Sequence, residues 1–183
     1  MTGVGAPQRA NLRFMLAHPA HAVALGFGSG LSPRAPGTVG TLWAWATFAL
    51  LDRWLGTAAG GWGWPLVLGL AFGLGWWACT RTAQALRVSD PSAVVWDEVV
   101  AFWLLLWLIQ PTGWVEQLAA FGLFRLFDAA KPGPVGWADR GFKAAPGRAI
   151  GAVQGLGILV DDLVAALCAL LPILMARAWM GSF

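Results

Sequence analysis

From Leu55 to Thr80 the chain carries no charged side chain. The stretch exceeds the roughly 20 apolar residues that a helix needs to cross a bilayer. A fold containing it must bury it in a core or in lipid. The rest of the chain points to lipid. Hydrophobic residues make up 58% and charged residues 11%, against roughly 25% charged in ordinary soluble domains. The mean hydropathy is +0.64, and there are 13 Trp and no Tyr. These values describe a membrane protein or one deeply embedded in an interface. No strand alternation stands out and no repeat is visible. The expected fold is all-α, a compact bundle of about six helices, partly membrane-embedded. No linker divides the chain, so one domain over 1–183 is expected, with residues 1–13 as a loose polar tail.

The element boundaries follow from glycine, proline and capping residues. A short helix is predicted over Phe14–Leu25. The segment from Gly26 to Gly37 is glycine- and proline-rich and reads as a loop. Thr38 or Thr41 then caps a helix running to about Trp54. The regular part of the apolar stretch starts near Trp64. Asp90 as N-cap with Pro91 behind it predicts a fourth helix ending at Gln110-Pro111. A fifth spans Trp114–Ala130, and 132–155 is read as a long connection. The last helix runs from about Leu156 to Ala178, with a kink expected at Pro172. Arg9 and Arg13 ahead of an apolar run loosely mimic a signal peptide, but His18, Pro19 and His21 interrupt that run, so the signal reading is rejected.

Charge narrows the function classes. The 12 Lys+Arg and net charge of +3 are scattered, which suits anionic membrane lipids and not nucleic acid. Arg53 and Arg81 flank the apolar stretch on both sides, so charge does not set orientation. Cys79 and Cys168 lie in apolar runs and read as small buried hydrophobes, with no disulfide framework and no zinc-type CxxC. His18 and His21, three apart without nearby acids, read as packing residues.

The nine acids are not scattered. Asp90, Asp97, Glu98, Asp128, Asp139, Asp161 and Asp162 fall in four glycine- and carboxylate-rich blocks. Charge in apolar surroundings costs several kcal/mol per ion. Asp97 and Glu98 are placed about two turns into the fourth helix, and Asp161 and Asp162 early in the last. Ala93 and Ala101 share a face with Asp97, and Ala165, Ala166 and Ala169 share one with Asp162, so the two helices can approach closely. For Asp90 an N-cap role suffices, and for Asp161 a capping or dipole role is open. Clustered oxygen ligands favour Mg²⁺ before Ca²⁺ or Mn²⁺.

A phosphate-binding half is also legible. The glycine-rich loop opens directly into a helix, a junction suited to an anion, and Ser32, Arg34, Gly37, Thr38 and Thr41 offer donors there. Arg125 and Asp128 are one turn apart, with Lys131 a turn further. They read either as a surface ion pair or as a phosphate clamp beside a metal ligand.

The blocks GFGSGLSPRAPGTVG (Gly26–Gly40), Asp90 with Trp96-Asp97-Glu98, Phe124-Arg125-Phe127-Asp128 with Lys131-Pro132 and Pro134, Asp139-Arg140, and Gly155, Gly157, Asp161 and Asp162 together resemble the phosphatidylglycerophosphatase A family. The resemblance covers about Gly26–Ala169. It implies a helical, Mg²⁺-dependent lipid phosphatase that converts phosphatidylglycerophosphate to phosphatidylglycerol. It also implies the bacterial inner membrane, with the active site at the cytoplasmic face. Asp97, Glu98, Asp128, Asp161 and Asp162 are then the pool of Mg²⁺ ligands, with Asp97, Glu98 and Asp162 catalytic. Ser32, Arg34, Gly37, Thr38, Arg125 and Lys131 hold the substrate. Ala144–Gly151 reads as an insertion relative to the family, which shifts Lys143 and Arg148. Two other classes compete: a cation transporter or channel using the buried carboxylates, and a scaffold anchored by tryptophans. Oligomeric state is not legible.

Overall fold

The structure is a computed structural model describing residues 10–58, 62–142 and 149–181. The described residues are helical, without a strand. Helices α1 (Leu12–Leu16) and α2 (Pro19–Ala24) lead into a tight 3₁₀ turn, Gly26–Leu31. Then follow α3 (Pro36–Ala58), α4 (Gly63–Leu86), α5 (Trp96–Leu108), α6 (Trp114–Ala130), α7 (Pro134–Phe142) and α8 (Ala152–Met180). The all-α reading holds, with more and shorter pieces than the six helices expected. Pro19 splits the first predicted helix, with His18 as the N-cap whose Nδ1 accepts from Ala20 N at 3.1 Å. The connection predicted over 132–155 contains α7. Helix α8 starts four residues earlier than expected and continues through Pro172. The greater part of the polar tail and of the expected insertion, 1–9 and 143–148, lies outside the described residues.

Helix α5 is the centre. It packs against α3, α4, α6 and α8, and from Trp96 to Trp103 every residue is buried. A helix apolar on all sides belongs in a core, and thirteen residues, about 20 Å, are too short to span a bilayer. Two other helices, α4 and α8, are long and apolar enough to cross a membrane by length and composition.

One boundary correction determines the site. The capping signal at Asp90-Pro91 does not start α5. The chain instead turns through 90–95, and the helix opens at Trp96. Val95 N–H donates to Ala24 O at 2.9 Å. Its side chain presses on the glycine block, where a methyl on Gly40 would lie 2.7 Å from Val95 Cβ. These contacts outweigh a local cap of about 1 kcal/mol. Ala93 therefore lies outside the helix, and Asp97 and Glu98 occupy its first turn and not a place two turns in.

Candidate active site

Four helices deliver side chains to one open cavity of about 250 Å³. Gly37 comes from the first turn of α3, Asp97 and Glu98 from that of α5, Arg125 and Asp128 from the end of α6, and Asp161 and Asp162 from the middle of α8. Lys131 caps α6 in the left-handed region (φ 42), and Asp90, Pro91 and Ser92 close one wall. The α3 and α5 N-termini both open here, so two positive dipole ends face the same space.

All five carboxylates in the α5, α6 and α8 group are buried. One oxygen each from Asp97, Glu98 and Asp162 lies within 4.8 Å of the other two. Among the described residues, Asp97 Oδ1, Glu98 Oε2 and Asp162 Oδ2 are buried without a hydrogen-bond partner, as is Asp161 Oδ1 beside them. Native proteins leave few such atoms, because each carries a full desolvation cost. Burial, then the charges of Glu98 and Asp162, hold the Asp97 carboxyl well above the usual carboxylate range. Burial also pushes Glu98 up to about 7, against the lowering contacts of Asp97 and Arg125.

The cations stand beside this trio. Arg125 Nη1 donates to Asp128 Oδ2 at 2.5 Å and lies 3.6 Å from Glu98 Oε1. Lys131 Nζ meets Asp161 Oδ2 at 2.6 Å. Gly37 is required for this packing: a Cβ there would collide with Glu98 Oε1 and lie 3.0 Å from Arg125 Nη2.

Sequence comparison now bears directly on this arrangement. The profile of the phosphatidylglycerophosphatase A family matches residues 22–177. The chain belongs to the phosphatidylglycerophosphatase A family. Phosphatidylglycerophosphatase A of Escherichia coli (strain K12) is 35% identical over 159 residues, covering 85% of this chain and 82% of its own length. The Haemophilus influenzae protein of the same name is 34% identical, covering 92% and 94%. A Bacteroides thetaiotaomicron protein provisionally named a phosphatidylinositol-3-phosphatase is 34% identical, covering 87% and 94%. No solved structure matches. As a member of the phosphatidylglycerophosphatase A family the chain is a phosphatase, a phosphoric monoester hydrolase, and with its two candidate spans it is membrane-associated.

Within that family frame, the residues singled out from sequence separate into three groups. Asp97, Glu98 and Asp162 converge. Asp128 and Asp161, expected as metal ligands, line the same cavity and each also holds a cation, Arg125 and Lys131. Of the loop donors only Gly37 lines the cavity, with Ala35 and Pro36. Ser32 Oγ donates to Arg34 O at 2.8 Å, Arg34 is exposed, and Thr38 lies outside the lining. Of the glycines ahead of them, Gly26 and Gly30 pack against Val95. Asp90 lines the cavity without capping a helix. Nothing is described of the Asp139 side chain. Thr41 matters more than its place in the loop suggested. It is fully buried, donates to Gly37 O at 2.8 Å, and accepts from Arg125 Nη1 at 3.4 Å. Its spacing of four from Gly37 is the only local signal of that role.

Proposed function

We propose that this chain hydrolyses phosphatidylglycerophosphate to phosphatidylglycerol and inorganic phosphate, with Mg²⁺ held by Asp97, Glu98 and Asp162. The observation that carries the reading is the convergence of Asp97, Glu98 and Asp162, each with a buried oxygen lacking a partner among the described residues, in one cavity with two cations. An all-oxygen, anionic donor set suits a hard divalent cation. When bound, such an ion offsets phosphate charge and acidifies water.

The chain's own groups account for the remainder. A phosphate monoester carries nearly two negative charges at neutral pH. Arg125 presents a planar fork of donors, and Asp128 and Thr41 hold it in place. Lys131, oriented by Asp161, adds a second cation. The α3 N-terminus at Gly37 offers backbone N–H groups. Water attacks phosphorus, and one carboxylate of the cluster takes its proton. The bond from phosphorus to the glycerol oxygen breaks, and that oxygen leaves with a proton as the lipid alcohol. Positioning and charge neutralisation supply most of the acceleration.

The membrane assignment is the bacterial inner membrane with the cavity at the cytoplasmic face. The cavity's end of the molecule carries Arg13, Arg34, Arg81, Arg87 and Arg140, whereas the opposite end has Arg53 and Arg177 among the described residues. Such an excess follows the positive-inside rule.

Purified protein in detergent should release phosphate from phosphatidylglycerophosphate, stop on chelation with EDTA, and resume when Mg²⁺ is returned. Phosphatidylinositol 3-phosphate is the rival substrate, because a relative 34% identical to this chain bears that name. Faster release from it than from phosphatidylglycerophosphate would overturn the substrate assignment.

A further inference from the structure

A second cavity lies on the outer face of α4, against the start of α8, and shares no lining residue with the catalytic one. We propose that it holds the phosphate and upper acyl chain of an anionic membrane phospholipid that is not the reacting substrate. The inference does not rest on the reaction assigned above.

The groove measures about 440 Å³, within the range of about 300–1,000 Å³ typical of ligand sites. Gly73, Trp77 and Arg81 line it at intervals of four, so they form one stripe along α4. At about 1.5 Å per residue, Gly73 and Arg81 stand about 12 Å apart along the axis. Gly73 makes a hollow: a Cβ there would meet nothing within 4 Å. Beside it, Leu66, Leu70 and Leu74 form an exposed apolar row on a candidate membrane span. Trp76 and Trp77, both partly exposed, sit between hollow and cation, as interfacial tryptophans do. The wall is held in place, because Trp76 Nε1 donates to Ala152 O at 2.7 Å and Gln84 Nε2 to Ile150 O at 3.0 Å.

Charge selects the occupant. Arg81 is exposed, and its guanidinium makes no ion pair or hydrogen bond with another described residue. It also borders a smaller adjoining cavity lined by His18 and His21. Among the described residues no carboxylate lines either space. An apolar hollow, a tryptophan belt and an unmatched guanidinium, in that order along one helix, match the order of acyl chain, glycerol and phosphate in an anionic lipid. The catalytic cavity is different in kind, since its cations are already held by carboxylates.

The test is native mass spectrometry of the purified chain in neutral detergent, titrated with dioleoyl phosphatidylglycerol, dioleoyl phosphatidylcholine or inorganic phosphate. Melting curves in lipid-free detergent show that each variant is folded. Wild type should retain phosphatidylglycerol about fivefold more tightly than Arg81→Gln, the effect of one cation near an anionic lipid. Arg81→Lys should recover part of that difference. Gly73→Leu, which fills the hollow without touching Arg81, should weaken retention as well. Phosphatidylcholine should bind more weakly, and excess inorganic phosphate should not displace the lipid. Equal retention by wild type, Arg81→Gln and Gly73→Leu would overturn the proposal. Phosphatidylcholine binding as tightly as phosphatidylglycerol would reduce the groove to a greasy surface. Displacement by inorganic phosphate would make it a free-anion site, which also overturns the lipid assignment.

Discussion

At one end of the bundle five buried carboxylates share a cavity with Arg125 and Lys131. At the other, Glu116 faces Arg177. Asp162 and Arg177 lie on the same helix, about 22 Å apart along its axis. The two ends treat charge in opposite ways. Arg177 Nε donates to Glu116 Oε1 at 2.5 Å, Thr112 Oγ1 donates to Glu116 Oε2 at 2.8 Å, and Arg177 Nη2 reaches the carbonyls of Ile109 and Pro111. Both carboxylate oxygens there have partners, and the cluster ties the end of α8 to the α5–α6 turn. At the cavity, four carboxylate oxygens, Asp97 Oδ1, Glu98 Oε2, Asp161 Oδ1 and Asp162 Oδ2, are buried without a hydrogen-bond partner among the described residues. Matched charge stabilises a structure, whereas unmatched buried charge destabilises it and persists where chemistry needs it.

The contrast is broken most directly by Asp97→Asn and Asp162→Asn. Each keeps size and removes a negative oxygen from the trio. Phosphate release should fall on the order of 10²-fold or more while the melting transition stays cooperative. At the other end Asp52, which accepts from Trp64 Nε1 at 2.8 Å, is the control, and Asp52→Asn should leave turnover near wild type. Near-wild-type turnover in both cavity variants would mean that the unmatched carboxylates do no chemistry.

Arg125→Lys keeps charge but loses the planar fork. A loss of about 10–100-fold in kcat/KM is expected, the equivalent of one or two charge-assisted hydrogen bonds. If the contact serves ground-state binding, the change appears in KM; if it is made mainly in the transition state, it appears in kcat. Unchanged kinetics and unchanged melting in both Arg125→Lys and Arg125→Ala would return Arg125 to the role of a structural ion pair, like Arg177.

Mg²⁺ added to chelator-treated protein should stabilise it. At a hundredfold excess over Kd the gain is about 2.7 kcal/mol, or about 5–10 °C in melting temperature for a chain of this size. Asp97→Asn should lose most of that shift, and Glu116→Gln should keep it. An identical shift in wild type and Asp97→Asn would place the ion elsewhere.

The smallest effect belongs to the far end. The Arg177 hydrogen bond holds the Glu116 carboxyl below its usual pKa. A lowered carboxylate pKa contributes stability above the unfolded value, about 4.3, and that contribution is lost as the pH falls through the folded value. Glu116→Gln should therefore cost about 1 kcal/mol at neutral pH, about 2–4 °C, and should make melting less sensitive to acid. Turnover should not change. A large fall in turnover would couple the two ends and erase the distinction between them.

Much of this was legible without a fold. Helix α6 was bounded correctly by Trp114 and Ala130, because Gln110-Pro111 and Lys131-Pro132 punctuate it locally. The carboxylates stood out because so few acids occur in so apolar a chain. The expectations that the fold revised share one cause. Asp90 looked like a cap, and Ser32 and Arg34 looked like part of the cavity wall, each because of its sequence neighbours, while the cation partners of Asp128 and Asp161 were not all visible there. In the structure Val95 is held by Ala24 and the glycine block, and Asp161 meets Lys131 from a different helix.

The sequence by itself determined that this chain is helical, apolar enough for a membrane, and equipped with acids, an arginine and a lysine in family-specific blocks. Composition, spacing and capping are local properties, and they survive without a fold. Only the tertiary structure decided where α5 begins, which three carboxylates face one another, that Gly37 and Thr41 buttress Arg125, and that Arg81 borders a groove. Pairing and desolvation are set by contacts between residues tens of positions apart, and no local rule carries them.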